Sequence, residues 1–195
     1  MAMLPRVARL REAELYRAAA ALFNKQGYAS TSMRQICRAM GIRESSLYHY
    51  IRSKEDLLYH ICERSMFLSL EAIEPIVKLS SRSKLKLKRM IETHITTIAE
   101  NSNEHSTMLK ELRALSPRNQ RRIIRLRDRY EALFRKVIAD CVQEKVLRDT
   151  DVKIATLALL GMMNWLIHWY SPTGPMKSEE IARIFSGLFL KRAGR

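Results

Sequence analysis

Between Thr31 and Leu57 the chain reads T-S-M-R-Q-I-C-R-A-M-G-I-R-E-S-S-L-Y-H-Y-I-R-S-K-E-D-L. Just after Gly41, one short segment places Arg43, Glu44, Ser45, Ser46, Tyr48 and His49 within seven residues, a mixture of cation, anion, hydroxyls and ring donors. Such groups hydrogen-bond base edges and phosphates; they do not by themselves make or break bonds. Catalysis finds little support elsewhere. The five histidines show no H-E-x-x-H spacing, no serine sits in G-x-S-x-G, and no glycine loop is built to cradle phosphate. The expectation is a non-enzyme with no metal and no cofactor.

For that segment to reach a major groove, neighbouring elements must hold it outward. Met33, Ile36, Cys37 and Met40 follow helical spacing behind the capping candidates Thr31 and Ser32, and the helix stops at Gly41. Cys37 is small where two helices must approach, while Ile36, Met40, Ile42 and Leu47 close a miniature core. This is helix-turn-helix grammar. An earlier helix carries Leu15, Ala18, Ala19, Leu22 and Phe23 on one stripe and ends at Gly27. Ser53, ahead of Lys54, Glu55 and Asp56, caps a longer helix that runs to about Pro75.

The rest of the chain keeps helical spacing, with no alternation long enough for a sheet, so the fold class is all-α. Helices are expected from the polar stretch Ser80–Ser83 to about Asn101, from Glu104 to Leu115, and from Pro117 to about Val146. An apolar helix then starts near Ile154, and a final helix is capped by Ser178. Ile154 to Met176 holds no Asp, Glu, Lys or Arg, but Pro172, Gly174 and Pro175 shorten its helical part, and Thr156, Asn164 and His168 suit a buried helix better than a bilayer. No membrane partner is expected. Cys37, Cys62 and Cys141 lie far apart without C-x-x-C pairing and fit a reducing compartment, and no secretory signal opens the chain, so the expected location is cytoplasmic.

Lys and Arg number 35 against 20 acids, giving a net charge of +15 and a pI near 10.1. That balance calls for a polyanionic partner. Only 10 of the cations, with 5 acids, lie in residues 1–60. Two runs carry much of the remainder: Lys78, Arg82, Lys84, Lys86, Lys88 and Arg89, and then Arg118 through Lys136. Each is either a solvated helix face or, taken together, the rim of a site for a phosphate-bearing ligand.

The long match from Ala19, Leu22, Phe23, Gly27 and Tyr28 through Thr31, Ser32, Ile36, Gly41, Leu47, Tyr48, Tyr50, Ser53, Lys54, Glu55 and Leu57 resembles the DNA-binding domain of the TetR family of bacterial regulators. The resemblance implies a homodimeric repressor of double-stranded operator DNA, with a helix-turn-helix head at residues 1–53 and a ligand-binding and dimerisation domain at 54–195. Carried onto this sequence, it makes Thr31, Tyr48, His49 and Lys54 phosphate partners, and Arg43, Glu44, Ser45 and Ser46 base readers. Arg43 stands where the family usually has a capping Ser or Thr, which marks it as a contact to phosphate or guanine.

The C-terminal half is similar to the acyl-coenzyme-A-responsive branch of that family through E-L-R-A-L-S-P, R-D-R-Y-E and G-M-M-N-W-L-I-H-W-Y. This implies an acyl-CoA effector, with Phe67, Met90, His94, Tyr130, Asn164 and His168 around its chain and Arg89, Arg122 and Arg125 at its phosphates. Plain core filling explains the apolar members equally well. Trp165, Trp169 and the stripe Ile184, Phe185, Leu188 and Phe189 offer more apolar surface than one chain needs to bury, and are assigned to a dimer seam. Two alternatives stay open: a ligand-independent architectural DNA binder, and a sensor of a neutral drug or sterol.

Overall fold

A computed structural model describes residues 6–48 and 51–190, with side chains from residue 12 onward. Among the described residues there are nine α-helices, two 3-10 turns and no strand: α1 Arg6–Gln26, α2 Met33–Met40, α3 Glu44–Tyr48, α4 Lys54–Lys78, α5 Ser83–Glu100, α6 Ser102–Glu111, α7 Pro117–Gln143, α8 Val152–Asn164 and α9 Ser178–Leu190. None of these helices is long and apolar enough to cross a membrane. The helix boundaries follow the sequence signals closely. Gly27 and Gly41 sit at φ 84° and 63°, the left-handed conformation that lets a glycine end a helix without a Cβ clash. α4 extends three residues past Pro75, which has no N–H to donate to the Glu71 carbonyl one turn back.

The chain divides into two compact units. Unit 1 joins residues 1–65 to residues 103–123, so α1, α2, α3 and the first half of α4 share a body with α6 and the start of α7. Its interior holds Leu15, Ala19, Phe23, Ile36, Leu47, Ile51, Leu57 and Ile61. Full burial of each of the larger side chains is worth about 1.5–3 kcal/mol relative to exposure. α6 is tied in by polar contacts: Asn24 Nδ2 donates to the Asn103 carbonyl at 2.9 Å, and the Tyr28 N–H donates to Glu111 Oε1 at 3.2 Å.

Unit 2 joins residues 66–102 to 124–195. There α5 packs along α9 and against α8, burying Leu87, Met90, Ile91, Ile95, Phe134, Val137, Leu159, Met163 and Ile181. The apolar helix expected from Ile154 is α8, and only one side of it is interior. Thr156, Leu159 and Met163 are buried, whereas Ile154 and Leu157 are 61% and 44% exposed. The three cysteines are free and buried, and burial pushes the Cys62 thiol up to about 12.

Candidate nucleic-acid interface

The reading segment is built by local caps. Ser32 accepts from the Gln35 N–H, and the Gln35 side chain accepts from the Ser32 N–H, a reciprocal box that fixes the start of α2. After the Gly41 turn the Arg43 carbonyl accepts from Ser46 and Leu47, so Arg43 occupies the capping position of α3 without a side-chain oxygen to serve it. Leu47 is fully buried and anchors α3 from behind. Arg43, Glu44, Ser45, Ser46 and Tyr48 are thereby exposed on one short element, Tyr48 by 51%. Arg34 Nε meets Glu44 Oε1 at 3.2 Å, which couples α2 to the first residue of α3. His49 lies outside the described residues.

Two expected phosphate partners are otherwise engaged. Thr31 is buried, and its hydroxyl donates to the Gly27 carbonyl at 2.8 Å while accepting from Gln26 Nε2 at 3.1 Å. Its role in this structure is to close the α1–α2 turn. Lys54 has three N–H bonds, and they reach the carbonyls of Tyr28, Ala29 and Thr31 at 2.9, 3.2 and 2.8 Å, with the ammonium 4.5 Å from the Tyr28 ring centroid. An adjoining latch sits at Glu55. Burial works against its ionisation, yet the Ser116 N–H at 3.1 Å and the Asn119 amide at 2.8 Å outweigh that and hold the carboxyl below its usual range. Tyr28 and Glu55 are part of the sequence match, but nothing in their spacing discloses these partners.

The residues expected around an effector fall into separate places. His94 and Tyr130 come together in unit 2, both buried, with Nδ1 and the hydroxyl 2.6 Å apart and the Phe134 ring edge-on to the imidazole. Burial raises the Tyr130 phenol above its ordinary value. Met90 is fully buried on the same helix as His94, and Arg89 and Arg125 are exposed. Three expected lining residues differ. Phe67 is 46% exposed; His168 is exposed and lies with its ring 4.2 Å from that of Trp165; Arg122 belongs to unit 1, its guanidinium 4.8 Å above the Tyr59 ring. Asn164 is half-buried at the end of α8. Trp165, Trp169, Ile184 and Leu188 are 62%, 49%, 43% and 66% exposed, whereas Phe185 and Phe189 are half-buried. The exposed stripe of α9 is thus one residue out of register from the two phenylalanines.

Residues 15–61 match the family described as bacterial regulatory proteins, tetR family, and residues 80–193 match the tetracyclin repressor-like C-terminal domain. The chain belongs to the TetR family. The crystal structure of the TetR regulator PfmR from Thermus thermophilus superposes with a TM-score of 0.86 at 36% identity, covering 93% of this chain and 99% of that one. AibR, solved in complex with isovaleryl coenzyme A and operator DNA, gives 0.83 at 26% identity over 92% and 98% of the two chains. The transcriptional repressor KstR2 of Mycolicibacterium smegmatis is 24% identical across 92% of this chain and 89% of its own. The fatty acid metabolism regulator protein of Bacillus subtilis is 22% identical across 75% and 76%. As a TetR regulator, the chain is a transcriptional repressor whose head binds operator DNA, and TetR repressors bind that DNA as dimers.

Proposed function

We propose that this TetR regulator represses from the cytoplasm, without catalytic activity, and is released from its operator by an acyl-coenzyme A. Residues 1–53 serve as the reading head and residues 54–195 as the effector and dimer domain. In the head, Arg43, Glu44, Ser45 and Ser46 read bases, while Tyr48 and His49 hold phosphates. Lys54 adds a phosphate contact by giving up its longest internal bond, the one to Ala29, and Thr31 acts indirectly by fixing the turn below them. The dimer seam is the exposed apolar stripe of Ile154, Leu157, Trp165, Trp169, Ile184 and Leu188, in which second-copy burial supplies what the single chain leaves wet.

The observation that carries the effector assignment is the buried His94–Tyr130 pair, set beside Phe134 in a methionine-bearing interior. An acyl chain suits the adaptable methionines, and its carbonyl suits a hydroxyl and imidazole held at one depth. AibR with its isovaleryl coenzyme A supports the same class of ligand. Arg89 and Arg125 supply phosphate donors. Ligand and DNA then oppose one another: a dimer reads half-sites about 34–36 Å apart or a multiple of it, and a ligand that favours another head spacing lowers DNA affinity by the factor by which DNA lowers its own.

Release of DNA by a fatty acid and by its coenzyme A thioester is the test, in wild type and in Arg89→Ala/Arg125→Ala. The thioester should release at lower concentration, and the variant should erase that advantage. Equal potency in wild type would sink the phosphate recognition and turn the reading to a neutral apolar effector.

A further inference from the structure

A second charged surface lies outside the head. The last turn of α4 and the first turns of α5 carry Lys78, Arg82, Lys84, Lys86, Lys88 and Arg89 without an acidic residue among them. All but Lys86 are exposed. Lys86 is half-buried and spends its ammonium on the Val77 carbonyl at 3.1 Å, and Lys88 faces Glu92 at 3.6 Å. The same place receives the end of α7, because Ser83 Oγ donates to Glu144 Oε2 at 2.7 Å and so brings the exposed Lys145 and Arg148 alongside.

Folding gains little from this arrangement. The start of a helix carries partial positive charge and favours acids, yet α5 has none in its first turn, and Arg82 gives its first N–H groups no side-chain acceptor. The Glu144 carboxylate on Ser83 is the acid that meets the start of α5, and it faces a larger number of exposed cations, whose mutual repulsion an anion from outside would offset further. Two exposed leucines, Leu79 and Leu85, interleave with the cations, but charged side chains outnumber them, so charge is most of what the surface offers. A regular array of phosphates matches it better than a hydrocarbon layer does.

We propose that this apex of unit 2 binds the phosphate backbone of a second stretch of duplex DNA, so that a regulator seated by its head on one duplex grips another. The inference goes beyond the effector assignment and uses the head only as the anchor to the first duplex. Once anchored, the chain meets neighbouring DNA at a high effective concentration, and a weak contact then suffices.

The experiment uses the full chain and two random-sequence duplexes of about 60 base pairs, one on beads and one fluorescent, at about 50 mM salt where phosphate contacts are strong. Wild type should retain the fluorescent duplex on the beads. Lys78→Glu/Arg82→Glu/Lys84→Glu should still coat the beads but lose retention of the second duplex roughly fivefold or more, because each lost phosphate contact weakens binding. Arg82→Glu and Lys84→Glu place acids at the start of α5, where they complement its dipole, Lys78 is exposed at the end of α4, and circular dichroism checks that the fold is kept. Arg43→Ala/Tyr48→Ala should instead lower coating of the beads, which separates a failure of the head from a failure of the apex. Unchanged retention by the triple variant would overturn the proposal, because the two heads of a dimer would then account for bridging. So would absence of retention by wild type, or capture of phosphatidylserine vesicles in place of the second duplex.

Discussion

Unit 1 and unit 2 are held together in different ways. Around residues 27–31 of unit 1, directed bonds converge on backbone: Lys54 on three carbonyls, Thr31 on a fourth, Gln26 on Thr31, and Tyr28 N–H on Glu111. In unit 2, apolar packing dominates, with Met66, Met90 and Met163 in the core and the His94–Tyr130 pair inside it. The difference follows from what each must do. A five-residue α3 has little core of its own, and groove reading demands fixed side-chain positions, so polar bonds with definite geometry set its angle. On the acyl-coenzyme A proposal, unit 2 would gain from side chains that repack at low cost around a variable chain.

The contrast is broken most severely at the edge of unit 2, where packing continues onto the surface. Ile184→Glu with Leu188→Glu places two charges in the proposed seam, and an uncompensated buried charge costs about 3 kcal/mol or more. Dimer affinity should fall at least about a hundredfold, so light scattering at micromolar concentration should report monomers with retained helicity. A variant that stays dimeric removes this stripe from the seam.

In unit 1 the next largest effect belongs to Lys54→Met, which leaves three carbonyls to solvent. Hydrogen bonds to a charged group are worth about 1.5–3 kcal/mol, and because Lys54 is partly exposed, urea unfolding should register a loss of about 2 kcal/mol in total. The same variant should lower the magnitude of the log K against log salt slope by about one unit. Loss of stability with an unchanged slope would assign Lys54 to the turn alone.

These two regions were also unequally legible in the sequence. Gly27, Gly41, Ser32 and Ser53 announce helix ends because each acts on backbone within three or four residues, and each does so in the structure. The clamp of Lys54 spans more than twenty residues and the Glu55–Asn119 bond more than sixty. Helical periodicity tells which face is buried but not against what. For the same reason it gives no sign that residues 103–123 join the first unit. The apolar stripe Ile184, Phe185, Leu188 and Phe189 reads in sequence as one face, yet α9 turns Ile184 and Leu188 further outward than the two phenylalanines because α5 packs along it. His94 and Tyr130 were identifiable singly, and their 2.6 Å contact depends on α5 meeting α7.

Removing the polar pair should be milder than removing the clamp. Tyr130→Phe keeps the ring beside Phe134 and deletes the hydroxyl facing His94, so the cost is one buried hydrogen bond and the desolvation of its partner, about 1–3 kcal/mol. Thermal unfolding should shift downward, and the variant should lose discrimination between a thioester and a hydrocarbon of equal length while keeping its affinity for DNA. Unaltered discrimination would return the pair to a structural role.

The smallest effect concerns protons. His60 on α4 stacks on Tyr16 of α1 with ring centroids 6.0 Å apart and lies 3.7 Å from Glu63 and 3.5 Å from Asp56. Around it, α1 contributes Glu12, which accepts from the Tyr16 hydroxyl, α4 adds Tyr59 and Arg64, and Arg122 of α7 lies over Tyr59. The neighbouring Glu63 carboxylate raises the imidazole above its ordinary 6.5, burial opposes, and Asp56 reinforces the rise. A folded value above the unfolded one means that this stabilisation is fully present below pH 6.5 and is lost as pH climbs through the raised value. The imidazole side chain is 35% exposed, so solvent screening holds the contribution to about 1 kcal/mol or less. The melting temperature of wild type should therefore decline slightly between about pH 6 and 8, and His60→Gln should flatten that decline while leaving stability near pH 8 almost unchanged. A decline that persists in His60→Gln would place the titrating group elsewhere.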